Sequence, residues 1–161
     1  MKLERALGKA LTARGLSLAT AESCTGGLIA RRITDVSGAS GYFEGGFVTY
    51  SNRAKTLLIG VPAGLIEKHG AVSAETATAM ARGAMNKLKA DVAVAVTGVA
   101  GPTGGTPDKP VGTVFIAVAT KAKTSVREFH FTGTRLGIRK QTADEALAFV
   151  LDHLEERLGR Q

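Results

Sequence analysis

Leu16–Gly38 reads LSLATAESCTGGLIARRITDVSG. Its first part, LSLATAE, reads as a short buried strand. Its last part, GGLIARRITDVSG, reads as a helix that stops near Gly38. Between them stand Ser23, Cys24, Thr25, Gly26 and Gly27. A strand that passes into a helix through small polar residues is the repeating unit of α/β folds. In open sheets of this kind, the crevice beyond the carboxyl ends of the strands is where ligands bind. The fold class and the place to look for chemistry therefore come from the same stretch.

Outward from it, residues 2–14 form an amphipathic helix with Leu3, Ala6, Leu7, Ala10 and Leu11 on one face. GYFEGGFVTYS, residues 41–51, is aromatic and β-branched and predicts a strand, with a bulge or bend at Gly45-Gly46. NRAKTLLIG is helical, capped by Ser51 or Asn52. PAGLIEKHG is a short helical turn or loop. Ser73 caps a long helix whose inner stripe, Ala77, Met80, Ala81, Ala84 and Leu88, is mostly alanine and suits close packing on a sheet. DVAVAVTG is nearly all apolar, as a central parallel strand is. TVFIAVAT and SVREFHFTG form a hairpin across Lys121–Lys123, and Thr134 to Leu158 is helical. The order predicts one domain over residues 1–161, a three-layer α/β/α sandwich around a mixed sheet of about five strands.

The composition narrows the function classes. A length of 161 residues and 44% hydrophobic content suit one globular core. No apolar run reaches the ~20 residues that span a bilayer, and the charged first helix lacks the pattern of a secretory signal. The one cysteine excludes a disulfide framework. The expected location is the cytoplasm. A net charge of +7 favours anionic partners. The cations are scattered and the aromatics only 5%, with no Trp, so a stacking groove for nucleic acid is not expected.

For Ser23 two readings stand. It caps a helix, or it attacks a carbonyl while the amides of Cys24, Thr25, Gly26 and Gly27 hold the oxyanion. Cys24 is a rival nucleophile if the helix end lowers its pKa, or a small core residue. His69, His130 and His153 lie in no neighbouring motif, so a serine would need another base. Lysine can serve when its pKa is depressed. Lys55 follows Tyr50 by five residues at the next strand-to-helix junction, with Arg53 and the helix end placed to lower its pKa. The bland alternative is a surface lysine beside a strand-end tyrosine. Glu22 either orients groups near Ser23 or pairs with a cation such as Arg31.

TGVAGPTGGTPDKPVGT, Thr97–Thr113, is a glycine-rich loop after a buried strand. It fits neither the P-loop nor the GxGxxG pattern. Its amides could form an anion nest, or its Gly and Pro could only shape turns. No HExxH, CxxC or His pair has metal-ligand spacing, so neither metal nor cofactor is expected.

AESCTGGLIARRITDVSGAS, YFEGGFVTYSNRAK and VTGVAGPTGGTPDKPVGTVFIAV closely resemble the CinA C-terminal domain family, over about Leu3 to Leu158. The likeness is to its stand-alone form, and Val99 stands where isoleucine is equally expected. The resemblance implies hydrolysis of the carboxamide of nicotinamide mononucleotide (NMN) to nicotinate mononucleotide and ammonia. It puts the family's serine on Ser23 and its tyrosine and lysine on Tyr50 and Lys55. The implied step is acyl transfer, with Lys55 taking the Ser23 proton directly or through Tyr50. A lysine neutral at pH 7 must sit roughly three pH units below its reference pKa of ~10.4. The substrate-binding set expected is Cys24, Thr25, Gly26, Gly27, Thr97, Gly101, Thr103, Gly104, Gly105 and Thr106, with Arg135 and Arg139 adding charge for the phosphate. The resemblance also implies a homo-oligomer, with the dimer as the expected state. The competing reading is a nucleotide-binding regulatory module without catalysis.

Overall fold

The computed structural model describes residues 2–156. The chain runs through α1 (Leu3–Arg14), β1 (Leu18–Glu22), α2 (Leu28–Thr34), a 3-10 turn (Ala39–Gly41) and β2 (Phe43–Val48). It continues through α3 (Asn52–Ile59), α4 (Ala63–His69) and α5 (Ala74–Leu88). Strands β3 (Val92–Gly98), β4 (Thr113–Thr120) and β5 (Thr124–His130) follow, and α6 (Arg135–Glu156) closes the series. The sheet order is β2-β1-β3-β4-β5. Strand β1 runs parallel to β2 and β3, whereas β4 is antiparallel to both β3 and β5. The sheet is therefore mixed and five-stranded, between two helical layers.

The two layers differ because the two faces of the sheet differ. In β3, Val92, Val94 and Val96 join the core under α1, α2 and α6, with Leu7, Leu11, Ile29, Ile138 and Leu147. Ala93 and Ala95 point the other way, onto Ala77, Met80, Ala81 and Ala84 of α5. Strand β4 repeats the alternation, with Val114, Ile116 and Val118 on one face and Ala117 and Ala119 on the other. The apolar run of β3 is thus a period-two pattern of large and small residues. The alanine face suits the close approach of α5.

Several boundaries depart from expectation. PAGLIEKHG holds a true helix, α4, with Ile66 buried under it. Helix α2 begins at Leu28 and ends before Asp35, shorter than predicted. Strand β2 ends at Val48, so Tyr50 lies beyond it. The irregularity in β2 falls at Glu44, where Leu18 pairs with Phe43 and Ala19 with Gly45, one residue before the expected glycines. Helix α6 is described to Glu156, and Leu158, the expected end of that helix, lies outside the described residues.

The crossovers place the site. The helix after β1, α2, packs on the valine face, and the helices after β2 pack on the alanine face. Neighbouring strands whose following helices leave to opposite faces define a topological switch point, with a crevice at their carboxyl ends. Ser23 leaves β1 and Lys55 sits on α3, beyond β2. Both expected centres fall at that crevice.

Candidate active site

Ser51 starts the geometry. Its Oγ accepts from the Ala54 amide at 3.0 Å and caps α3, so Ser51 and not Asn52 is the cap. The cap sets the phase of the helix and turns Lys55, in its first turn, toward β1. Lys55 is 1% exposed, an unusual burial for a lysine. Its Nζ lies 3.0 Å from Ser23 Oγ, 3.0 Å from the Thr49 carbonyl and 3.3 Å from the Tyr50 carbonyl. Among the described residues no carboxylate pairs with it. Burial pushes the Lys55 ammonium below the ordinary lysine range, and the neighbouring Cys24 sulfur alone acts in the other direction. Arg53, expected to help, is exposed and turned away from the cleft. Desolvation lowers the pKa, not a neighbouring charge.

These three contacts fit both protonation states. A neutral amine donates two N–H groups to the two carbonyls and offers its lone pair to the Ser23 hydroxyl. An ammonium donates to all three oxygens. A proton can pass between Oγ and Nζ without either side chain turning.

The turn that carries Ser23 is built from both charged ends. Helix α2 has Gly27 at its N-cap, φ 101°, and no capping side chain of its own. Glu22, buried at the end of β1, supplies the anion. Its carboxylate accepts from the Ile29 amide at 2.8 Å, the Ala30 amide at 3.0 Å and the Thr25 hydroxyl at 2.6 Å. The expected pairing of Glu22 with Arg31 does not form, and the expected orienting role near Ser23 does. Glu22 thus fills the Ile29 and Ala30 amides. Among the described residues, of the four amides expected at an oxyanion only that of Gly26 is taken, by the Ser23 carbonyl at 3.1 Å. The Cys24 amide, in the preceding turn, has no hydrogen-bond partner among the described residues, and Cys24 lines the cleft. Cys24 itself is 7% exposed and part of the core. Burial pushes its thiol up to about 11, which removes it as a nucleophile near neutral pH.

The cleft has a volume of about 290 Å³. Of the expected residues, Ser23, Cys24, Tyr50, Lys55, Thr97, Gly101, Thr103, Gly104 and Arg135 line it. Thr25, Gly26, Gly27, Gly105, Thr106 and Arg139 do not. Tyr50 faces Lys55 with its carbonyl. The residue is 59% exposed, and its hydroxyl accepts from Arg135 Nη2 at 3.0 Å. The relay through the Tyr50 phenol is thus replaced by a direct contact. Arg135 also donates from Nη1 to the Gly101 carbonyl at 2.9 Å, closing a strap across one side of the cleft. The Thr97 hydroxyl donates to the Ala71 carbonyl at 2.7 Å and holds the segment after α4 as a wall.

In the glycine-rich loop, the amides of Ala100, Gly101, Thr103 and Gly104 have no hydrogen-bond partner among the described residues. Thr106 instead shapes a turn, its amide bonding the Lys109 carbonyl at 2.9 Å. Sequence reasoning missed Ala71, Val72, Asn52 and the Thr49 carbonyl. Nothing in Ala71-Val72 signals a site, because their place comes from the return of the chain after α4. Among the described residues no cluster of three or more His, Cys, Asp or Glu is placed to hold a metal. No helix in the described residues is long and apolar enough to cross a membrane.

The family model for the CinA C-terminal domain matches residues 1–154. The chain belongs to the CinA C-terminal domain family. A CinA-like protein of Geobacter sulfurreducens is 54% identical over 156 residues, covering 97% of this chain and 37% of the relative. A putative competence-damage inducible protein of Symbiobacterium thermophilum is 52% identical, covering 94% of this chain and 38% of the relative. The chain thus spans little more than a third of the length of the curated CinA relatives it matches. The crystal structure of the competence/damage inducible protein CihA from Agrobacterium tumefaciens superposes with a TM-score of 0.92 at 42% identity, covering 95% of this chain and 93% of that one. A CinA superfamily protein from Escherichia coli gives a TM-score of 0.90 at 37% identity, covering 92% and 87%. The CinA fold is therefore the mixed five-stranded sandwich described above.

Proposed function

We propose that the chain is an amidohydrolase that converts NMN to nicotinate mononucleotide and ammonia, with Ser23 as nucleophile and Lys55 as its base. The observation that carries this reading is the 3.0 Å contact between Ser23 Oγ and a buried Lys55 Nζ that has no carboxylate partner among the described residues. A buried lysine of lowered pKa is the form in which an amine serves as a general base.

The step follows from the contacts. The lone pair of Nζ takes the Ser23 proton as Oγ bonds the carboxamide carbon. The oxyanion forms beside the free Cys24 amide. The Lys55 ammonium then gives its proton to the amine nitrogen, the C–N bond breaks and ammonia leaves. Water attacks the acyl-enzyme and gives a proton back through Nζ, and the acid departs with Ser23 restored. Arg135 and the unpartnered amides of Gly101, Thr103 and Gly104 suit the phosphate of the nucleotide. The proposed setting is the cytoplasm, and the proposed assembly is a homodimer.

Incubating the pure protein with NMN, with and without a chelator, tests the reading. Ammonia and nicotinate mononucleotide should appear in equal amounts with or without the chelator. Ser23→Ala should lower the rate by about 10³-fold or more. Nucleotide binding without ammonia release would contradict the reading and favour the regulatory module.

A further inference from the structure

Arg135 and Arg139 lie four residues apart, on one face of α6. Arg135 lines the cleft and Arg139 does not. Arg139 reaches behind the nucleophile turn instead. Its Nε donates to the Cys24 carbonyl at 3.1 Å and its Nη2 to the Thr25 carbonyl at 2.7 Å. We propose that Arg139 is a positioning residue that holds Ser23 and the Cys24 amide in register with Lys55, rather than a ligand for the substrate. The catalytic part of this proposal rests on the amidase reading above.

The route is covalent and short. A peptide unit is planar, and in its trans form the C=O and N–H point to opposite sides. Fixing the Thr25 carbonyl fixes the Gly26 N–H in the same plane. That N–H donates to the Ser23 carbonyl at 3.1 Å. The Ser23 carbonyl shares its plane with the Cys24 N–H, the free amide at the cleft. Arg139 thus sets the direction of the Cys24 N–H two peptide planes away. Glu22 holds the other end of the same turn through the Thr25 hydroxyl and the first amides of α2.

Two further features fit a clamp. Thr25 is wholly buried, so its carbonyl has no water to turn to if the guanidinium is removed. Gly26 has φ +58°, and a Cβ there would come 3.4 Å from Arg139 Nη2. The positive φ calls for glycine there, and the guanidinium packs against it. A lysine at position 139 would carry the charge without the fork that meets two carbonyls.

The test compares the wild type with Arg139→Lys and Arg139→Ala by two readouts. One is hydrolysis of NMN. The other is the rate at which a fluorophosphonate labels Ser23, followed by intact mass, which needs no amide substrate. Both variants should lose about 10- to 100-fold in kcat, with KM within about twofold and labelling slowed in parallel. Guanidinium ion at millimolar concentration should restore part of both rates in Arg139→Ala, and methylammonium should not. A raised KM with unchanged kcat and labelling would make Arg139 a substrate ligand and overturn the proposal. Full activity in Arg139→Lys, or an unlabelled wild type, would overturn it too. If Arg139→Ala fails to fold, Arg139→Lys carries the test. A wild type that is labelled but leaves NMN intact would remove the amidase reading while the labelling rates still decide the role of Arg139.

Discussion

Two segments meet at the Ser23–Lys55 cleft, and they are held in opposite ways. The turn from Ser23 to Gly27 is gripped by side chains of both signs, Glu22 on the Thr25 hydroxyl and on the α2 amides that follow, and Arg139 on the Cys24 and Thr25 carbonyls. The glycine-rich loop is held at its ends by backbone bonds, Val99 N to Thr113 O at 2.9 Å and Gly112 N to Val99 O at 2.8 Å. Its middle, from Pro102 to Asp108, is exposed. One lysine fixes the far side, Lys109 Nζ donating to the His69 carbonyl at 3.0 Å. On the proposed function the difference separates two tasks. Bond making needs atoms held to fractions of an ångström. Recognition of an anion by amides tolerates a loop that adjusts.

The sharpest way to break this comparison is on the rigid side. Lys55→Met keeps the volume and removes the base. Hydrolysis should fall by roughly 10³- to 10⁴-fold, measured as ammonia release. The same change also reads out in stability. A lysine whose pKa is lowered on folding binds fewer protons in the native state than in the unfolded one. Folding is therefore penalised at pH values below the folded pKa, and the penalty fades as pH rises from there toward ~10.4. Chemical denaturation against pH should show the wild type gaining on Lys55→Met over that interval. A constant difference would mean that Lys55 is not depressed.

Within the loop, Gly104 and Gly112 should behave differently. A Cβ at Gly112 would run into the Phe131 carbonyl, and φ there is +94°. Gly112→Ala should cost about 3 kcal/mol by thermal or urea unfolding. Gly104 has a similar φ of +88°, but the nearest atom to a Cβ is 3.8 Å away. Gly104→Ala should cost only about 1 kcal/mol, the strain of the backbone alone. Equal costs would show that the middle of the loop is as tightly packed as its end. The smallest effect is expected at Lys109→Ala, which frees the far side of the loop. KM for NMN should rise about three- to tenfold with kcat nearly unchanged, a loss of roughly 1 kcal/mol of binding.

Much of this arrangement is legible in the chain. The alternation of DVAVAVTG fixes both faces of the central strand, because large and small residues alternate with the pleat. The Ser51 cap and the spacing to Lys55 place the proposed base, since a cap sets the phase of a helix. Other features depend on tertiary approach. Arg135 and Arg139 look alike in sequence, one turn apart on one helix. Only the passage of α6 behind the turn sends one into the cleft and the other onto two carbonyls. Glu22 reads as an isolated acid until the missing cap at Gly27 is seen. Sequence alone ascribes the depression of Lys55 to Arg53 and the helix end, whereas burial causes it. Burial of one side chain depends on what the rest of the chain stacks over it. Helix α4 is short and has Pro62 at its N-cap with no capping side chain, so local signals leave it between turn and helix.

The most direct test is the titration of Lys55 itself. Proteins labelled with ¹³C at the lysine Cε, with Lys55→Met used to assign the signal, report the protonation of each amine by NMR. The account predicts that Lys55 titrates below the ordinary lysine value of ~10.4, and that the rise of kcat/KM with pH follows the same midpoint. A Lys55 signal titrating at or above ~10.4 would leave Ser23 without a base and contradict the account.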